Sequence, residues 1–229
     1  MSTEDRSRRE ALLGGAGAML AGLTATLAAA SRPSEAQAQG MGDVPALNAL
    51  LTAEYLAIGA YNAGAGILMS PPMGDPLASI APVALQVAAH FRQQHQDHAA
   101  RLVTLIQAAQ GTPVSQAAAV FSPPGPPFTG TVLNVIRLAA NKEKAAAVAY
   151  TKTHASISQQ SAAEVIAAIG GVETQHFIVL YLLARGVVIP GMALGMNAND
   201  LVPRSFVAEV GAGTMGLDSV MDFTYAPLM

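Results

Sequence analysis

Three glutamates sit where a carboxylate is hardest to keep. Glu54 lies between Ala53 and Tyr55-Leu56-Ala57, and Glu143 and Glu173 each fall mid-way along another apolar stretch with helical periodicity. A carboxylate on the apolar face of a helix carries a large desolvation cost unless a partner or a cation offsets it. Three of them on three helices ask for a shared positive charge.

The helices are read from spacing. Leu47, Leu50, Leu51, Tyr55, Ile58 and Tyr61 recur at three- and four-residue steps, which predicts a helix over 44–66. Val83, Val87, Phe91, His95, His98, Leu102 and Leu105 step along one side of a second helix over 80–109. A third is expected over 131–157. Ser161-Ala162-Ala163-Glu164 reads as a capping box that starts a fourth, reaching about Arg185, with Gly170-Gly171 marking a bend. The 69–76 segment, with three prolines and a glycine, is a loop. Residues 111–130 carry five prolines and three glycines, including Pro123-Pro124-Gly125-Pro126-Pro127, so no helix survives there. That stretch is long enough for a crossover. Residues 186–229 form a Gly- and Met-rich tail with one short helix expected near 206–210. Strand signals are weak. The expected fold is all-α: an antiparallel four-helix bundle over 39–185, with one long crossover connection and an irregular C-terminal tail.

The chemistry repeats between the halves. Glu54 is followed seven residues on by Tyr61, and Glu143 by Tyr150, which places each tyrosine two turns along on the face of its glutamate. The second helix carries His95-x-x-His98 and the fourth Glu173-x-x-His176; i, i+3 spacing sets both donors of a pair on one face. The order is Glu…Tyr, pair, Glu…Tyr, pair, an internal duplication. The chain has no cysteine, so thiolate zinc sites and Fe–S clusters are excluded and any metal is held by oxygen and nitrogen. Apolar residues make up 52% and charged residues 12%, which excludes a disordered chain. A net charge of −3 without a basic run argues against nucleic acid as a partner.

The N-terminus reads as an address. Ser7-Arg8-Arg9 precedes an uncharged, Ala/Gly/Leu-rich run from Ala11 to Ser31, and Ala36-Gln37-Ala38 supplies a small-residue cleavage site. Paired arginines before a mildly apolar run resemble a twin-arginine export signal over 1–38. Export to the periplasm or beyond is the expectation, or a membrane anchor if the signal is retained, since the run is nearly long enough to span a bilayer.

Together these motifs resemble the ferritin-like di-iron and di-manganese carboxylate proteins, which take one Glu from each of two helices and a Glu-x-x-His pair from each of the other two. The likeness covers residues 44–185 and is nearest to exported ferritin-like domain proteins related to plant desiccation-response proteins. The resemblance implies Glu54, His98, Glu143 and His176 as terminal ligands, Glu173 as a bridge, and His95 as an extra terminal donor. His95 departs from the family, which has glutamate there. Imidazole is neutral, so three carboxylates leave one positive charge over on two divalent ions. One ion or two, iron or manganese, with zinc also admitted, are the expected cofactors. Oxygen or peroxide are the expected partners, and the activity is ferroxidase or peroxide removal. The rival is a non-catalytic stress protein on the same scaffold. A homo-oligomer is left open.

Other polar residues have plainer readings. His90 is a surface residue and His154 a helix-end histidine. Tyr61 and Tyr150 are core aromatics whose OH groups need partners if buried. Lys142 and Lys144 form a solvated edge. Asp97 points about 100° or more away from both neighbouring histidines around the helix. Met192, Met196, Met215 and Met221 are gap-fillers.

Overall fold

The computed structural model describes residues 33–185 and 223–225. Four long helices dominate: α1 (Pro33–Met69), α2 (Ala81–Ala108), α3 (Val132–His154) and α4 (Gln160–Ala184). Short 3-10 turns at Ala78–Ile80 and Gln116–Ala118 punctuate the connections, and no strand occurs among the described residues. α1 packs on α2 and α3 on α4, and the 109–131 crossover joins the two pairs. The expected all-α architecture is therefore the one observed.

Three boundaries differ from the spacing argument. α1 starts earlier than 44 and runs through Pro45. α3 stops at His154, where the backbone N–H and the hydroxyl of Ser156 both donate to the Thr153 carbonyl. The capping box is absent. The N-cap of α4 is Gln159, which makes no side-chain cap, and Ser161 already lies inside the helix. Glu164 instead accepts from Gln160 Nε2 at 3.0 Å.

The cap comes from another helix. Asp43 of α1 accepts Ser158 N–H at 3.0 Å, the Ser158 hydroxyl at 3.0 Å and Gln159 N–H at 2.9 Å. Asp75 does the same for α3, accepting Val132 N–H at 2.8 Å while also holding Leu77 N–H at 2.9 Å. Both carboxylates are buried, and both sit where orphan N–H groups and the positive helix end favour an anion.

Two glycines are there because a neighbour needs their space. A Cβ on Gly170 would lie 3.1 Å from Tyr150 Cβ, and one on Gly59 would lie 2.8 Å from Phe121 Cβ. Gly170 thus admits the Tyr150 ring to the α3–α4 interface, and α4 is helical through both glycines. Gly59 seats the crossover on α1.

The core divides into two apolar clusters. One is dense with large aliphatics: Leu47, Leu51, Leu102, Ile106 and Ile166 are wholly buried there. Truncating such a side chain to alanine costs about 2–5 kcal/mol. The other, built around Phe91, Val132, Ile136, Phe177 and Leu180, contains five buried alanines. The described part of the tail docks beside it: Phe223 N–H donates to Asn141 Oδ1 at 2.8 Å, and Arg137 donates to the Thr224 carbonyl at 2.9 Å. The helix expected near 206–210 and the tail methionines lie outside the described residues.

Candidate metal centre

The four helices bring all six predicted donors together. α1 supplies Glu54, α2 His95 and His98, α3 Glu143, and α4 Glu173 and His176, and all six are buried. Their donor atoms form two overlapping sets, each with every atom within 4.8 Å of the others. Glu54, His95, His98 and Glu173 make one; His95, Glu143, Glu173 and His176 make the second.

The shared members are His95 and Glu173. Glu173 turns Oε1 to His98 Nδ1 at 2.8 Å and Oε2 to His176 Nδ1 at 3.4 Å. His95 stands between the two sets. Its Nδ1 lies 2.7 Å from Glu54 Oε2 and its Nε2 3.0 Å from Glu143 Oε1, so one ring nitrogen faces each set. A side chain with donors on opposite edges, entering from mid-α2, reaches both.

The cluster fits a cation. Both oxygens of Glu173 and Nδ1 of His98 are buried without an aligned hydrogen-bond partner. Buried polar atoms are almost always paired in folded proteins. Donors crowded to about 3 Å yet not aligned as hydrogen bonds are what an ion between them would collect.

Neighbouring groups hold the donors in place. Tyr61 donates to Glu143 Oε1 and Tyr150 donates to Glu54 Oε1, so each tyrosine serves the glutamate of the other helix. The sequence reading as core aromatics is right about burial and incomplete about role, because i, i+7 spacing describes one helix and these bonds cross between two. Gln94 was not singled out. His176 Nε2–H donates to its Oε1 at 2.8 Å, which leaves the His176 Nδ1 lone pair facing the carboxylates. Gln94 sits in the polar run Arg92-Gln93-Gln94, where nothing in one-dimensional spacing marks it off. Phe91 stacks on His176 with ring centroids 3.9 Å apart.

The electrostatics follow from burial and pairing. Burial works against a charged His95, but the bonds to Glu143 and Glu54 outweigh it and push the imidazole up to about 11. His98 behaves alike, burial opposed by Glu173 and Glu54, and rises to about 9. His176 also rises against burial, through Glu143 and Glu173. Burial would raise Glu54 and Glu143, yet the facing histidines hold Glu54 below its ordinary value and Glu143 well below. For Glu173 burial wins, and its carboxyl is raised. Burial and the adjoining carboxylates keep both tyrosines protonated.

The remaining candidates fall outside. His90 and His154 are exposed. Asp97 is exposed and accepts from Gln93 Nε2 at 3.1 Å. Lys142 is exposed as expected, whereas Lys144 is buried, which corrects its reading as a solvated edge.

Comparison with known proteins agrees with the geometry. No curated protein and no solved structure matches the chain. The family model described as a ferritin-like domain matches residues 42–184, which covers α1 from residue 42, the other three helices and all six donors. The chain belongs to the ferritin-like domain family.

Proposed function

We propose that the protein binds one or two divalent metal ions at mid-bundle and uses them for redox chemistry, either oxidation of Fe(II) or removal of peroxide. The observation that carries this reading is Glu173: a wholly buried carboxylate with no aligned hydrogen bond to either oxygen, each turned to a different histidine. Glu54, His98, Glu143 and His176 would act as terminal ligands, Glu173 would span the two positions, and neutral His95, with a single ring lone pair, would serve one of them as an extra terminal donor. Iron or manganese bound there supplies one-electron changes of oxidation state, and zinc would fill the site without them. The chain's own part is to supply fixed negative charge and imidazole, to exclude bulk water, and to hold protons on Tyr61 and Tyr150. The cluster offers three carboxylates, so two divalent ions would keep one positive charge for an anion such as hydroxide.

Metal analysis of the purified protein after loading with Fe, Mn and Zn is the direct test. Stoichiometric metal that is lost in Glu173→Ala supports the reading, and an essentially metal-free protein after loading sinks it. Ferroxidase turnover or peroxide consumption by the loaded protein then separates an enzyme from a binder.

One observation favours a second reading, a non-catalytic stress protein. His95, His98 and His176 all favour their protonated forms, so protons alone can balance the carboxylates. Equal melting temperatures of metal-free and metal-loaded protein would support that scaffold. We further propose export through the twin-arginine-type leader, on the strength of Arg8-Arg9 and Ala36-Gln37-Ala38. An intact N-terminus on protein recovered from outside the cytoplasm would indicate an anchor in place of a cleaved signal. Recovery only from the cytoplasm would overturn export.

A further inference from the structure

The alanine-rich half of the bundle is hollow. A narrow cavity of about 60 Å³, with a mouth open to solvent, lies in the seam between α1 and α3. It follows α1 from Ala57 to Leu68, eleven helical steps and hence about 16 Å of helix. Alanines 57, 60, 84, 88 and 139 leave the space that leucine and isoleucine fill in the other half. Phe121, Pro123 and Phe128 of the crossover close over it, and Gly59 exists to seat Phe121.

An empty apolar hollow of this kind costs stability, about 24 cal/mol per Å³ of true void. Water is a poor filler, because a buried water needs two to four polar partners. The lining provides almost none. Tyr61 and Glu143 border the cavity but are bonded to each other, and Glu143 is also engaged by His95 and His176. The remaining charged group of the lining is Lys142, exposed at the mouth and without an ion-pair partner among the described residues. A long apolar hollow with a single cation at its rim is complementary to one class of molecule.

We propose that this cavity binds a single-chain amphiphile with an anionic head, a long-chain carboxylate, with its chain in the α1–α3 hollow and its carboxylate at Lys142. The site stands on the cavity and Lys142, independent of whether metal is bound.

Isothermal titration of dodecanoate into the metal-free full chain tests it, with dodecanol and dodecyltrimethylammonium as counter-probes. Dodecanoate is expected to bind at one saturable site, with methyl shifts in the NMR spectrum at Ala57, Ile67 and Ala139 and none at Leu102 or Ile166. Lys142→Met, a surface change that leaves the core untouched, should weaken dodecanoate about fivefold, as befits a partly exposed ion pair, and leave dodecanol unchanged. Ala60→Phe and Ala139→Phe fill the hollow and should each weaken both probes more than about tenfold, with metal loading retained. Absence of saturable binding, shifts confined to the other half of the core, or dodecyltrimethylammonium binding as tightly as dodecanoate would each overturn the proposal. Should the filling variants fail to fold, the Lys142→Met comparison and the methyl shifts still decide it.

Discussion

Two kinds of buried carboxylate occur in this bundle, and they are satisfied differently. Asp43 and Asp75 accept backbone N–H groups at the starts of α4 and α3. Their partners are fixed parts of the main chain and cannot leave. Glu54, Glu143 and Glu173 face imidazoles and tyrosine hydroxyls, and Glu173 has no aligned partner at all. Their positive charge must come from something exchangeable, either protons on the histidines or metal between them. The first kind holds the helices in register; the second is available for chemistry because its counter-charge can be swapped.

The largest expected effect comes from removing the carboxylate that both donor sets share. Glu173→Ala should abolish metal binding, a loss exceeding the roughly 10–100-fold that changes around a ligand produce. Elemental analysis after loading reads it, and full occupancy in the variant would erase the distinction drawn here. Metal-free Glu173→Ala should still unfold cooperatively, because the two aspartate caps remain.

Protons and metal should also trade places visibly. His95 and His98 are raised from 6.5 to about 11 and about 9, and Glu173 is raised from 4.5. A raised folded-state value means the folded chain binds the proton more tightly. For the two histidines this stabilisation is complete below pH 6.5 and is lost as pH climbs through about 9 and about 11. Glu54 and Glu143 are lowered, so their contribution is lost on the acid side, below 4.5. Metal-free protein should therefore melt at falling temperature as pH rises from 6.5 toward 9. Loaded protein should change less over that range, its charge balance no longer resting on protons. A metal-free melting temperature that is flat or rising there would remove the exchangeable counter-charge from the picture.

The sequence carried the centre better than it carried the caps. Glu54, His95, His98, Glu143, Glu173 and His176 were all legible, because a carboxylate or imidazole on an apolar helical face has few bland explanations. The capping box at Ser161 failed for the opposite reason. Its pattern is local and common, and here Asp43 is supplied from 115 residues away in the chain. Gln94 and the crosswise tyrosine bonds escaped for the same reason, since each joins side chains on different helices and depends on packing angles that spacing does not encode. His95 was legible as a donor and illegible as a link between two sets, a matter of which ring edge faces what.

Gln94 tests the exchangeable side by a gentler route. Gln94→Leu leaves all six donors in place and removes only the acceptor that fixes the His176 ring. His176 would then be free to turn Nε2 inward or swing away. Metal affinity should fall about 10–100-fold, with stoichiometry recovered at higher metal concentration. Gln94→Glu keeps an acceptor and should restore most of the affinity. Identical affinity in Gln94→Leu would mean that Phe91 stacking alone orients the ring.

The smallest effect belongs to the fixed side. Asp43→Ala removes the acceptor for Ser158 N–H and Gln159 N–H and leaves that end of α4 uncapped. Losing a helix cap costs about 1–2 kcal/mol, and the α1 tie to the α3–α4 connection goes with it. Because Asp43 lies in the first half of α1 and Glu173 sits mid-way along α4, the damage is expected at the helix end and not at the centre. Metal stoichiometry should stay unchanged while the melting temperature drops, and amide exchange should quicken at Ala162 and Ala163 before it does at Glu173. If Asp43→Ala instead emptied the metal site, the caps and the cluster would be one cooperative unit, and the separation between fixed and exchangeable counter-charge would fail.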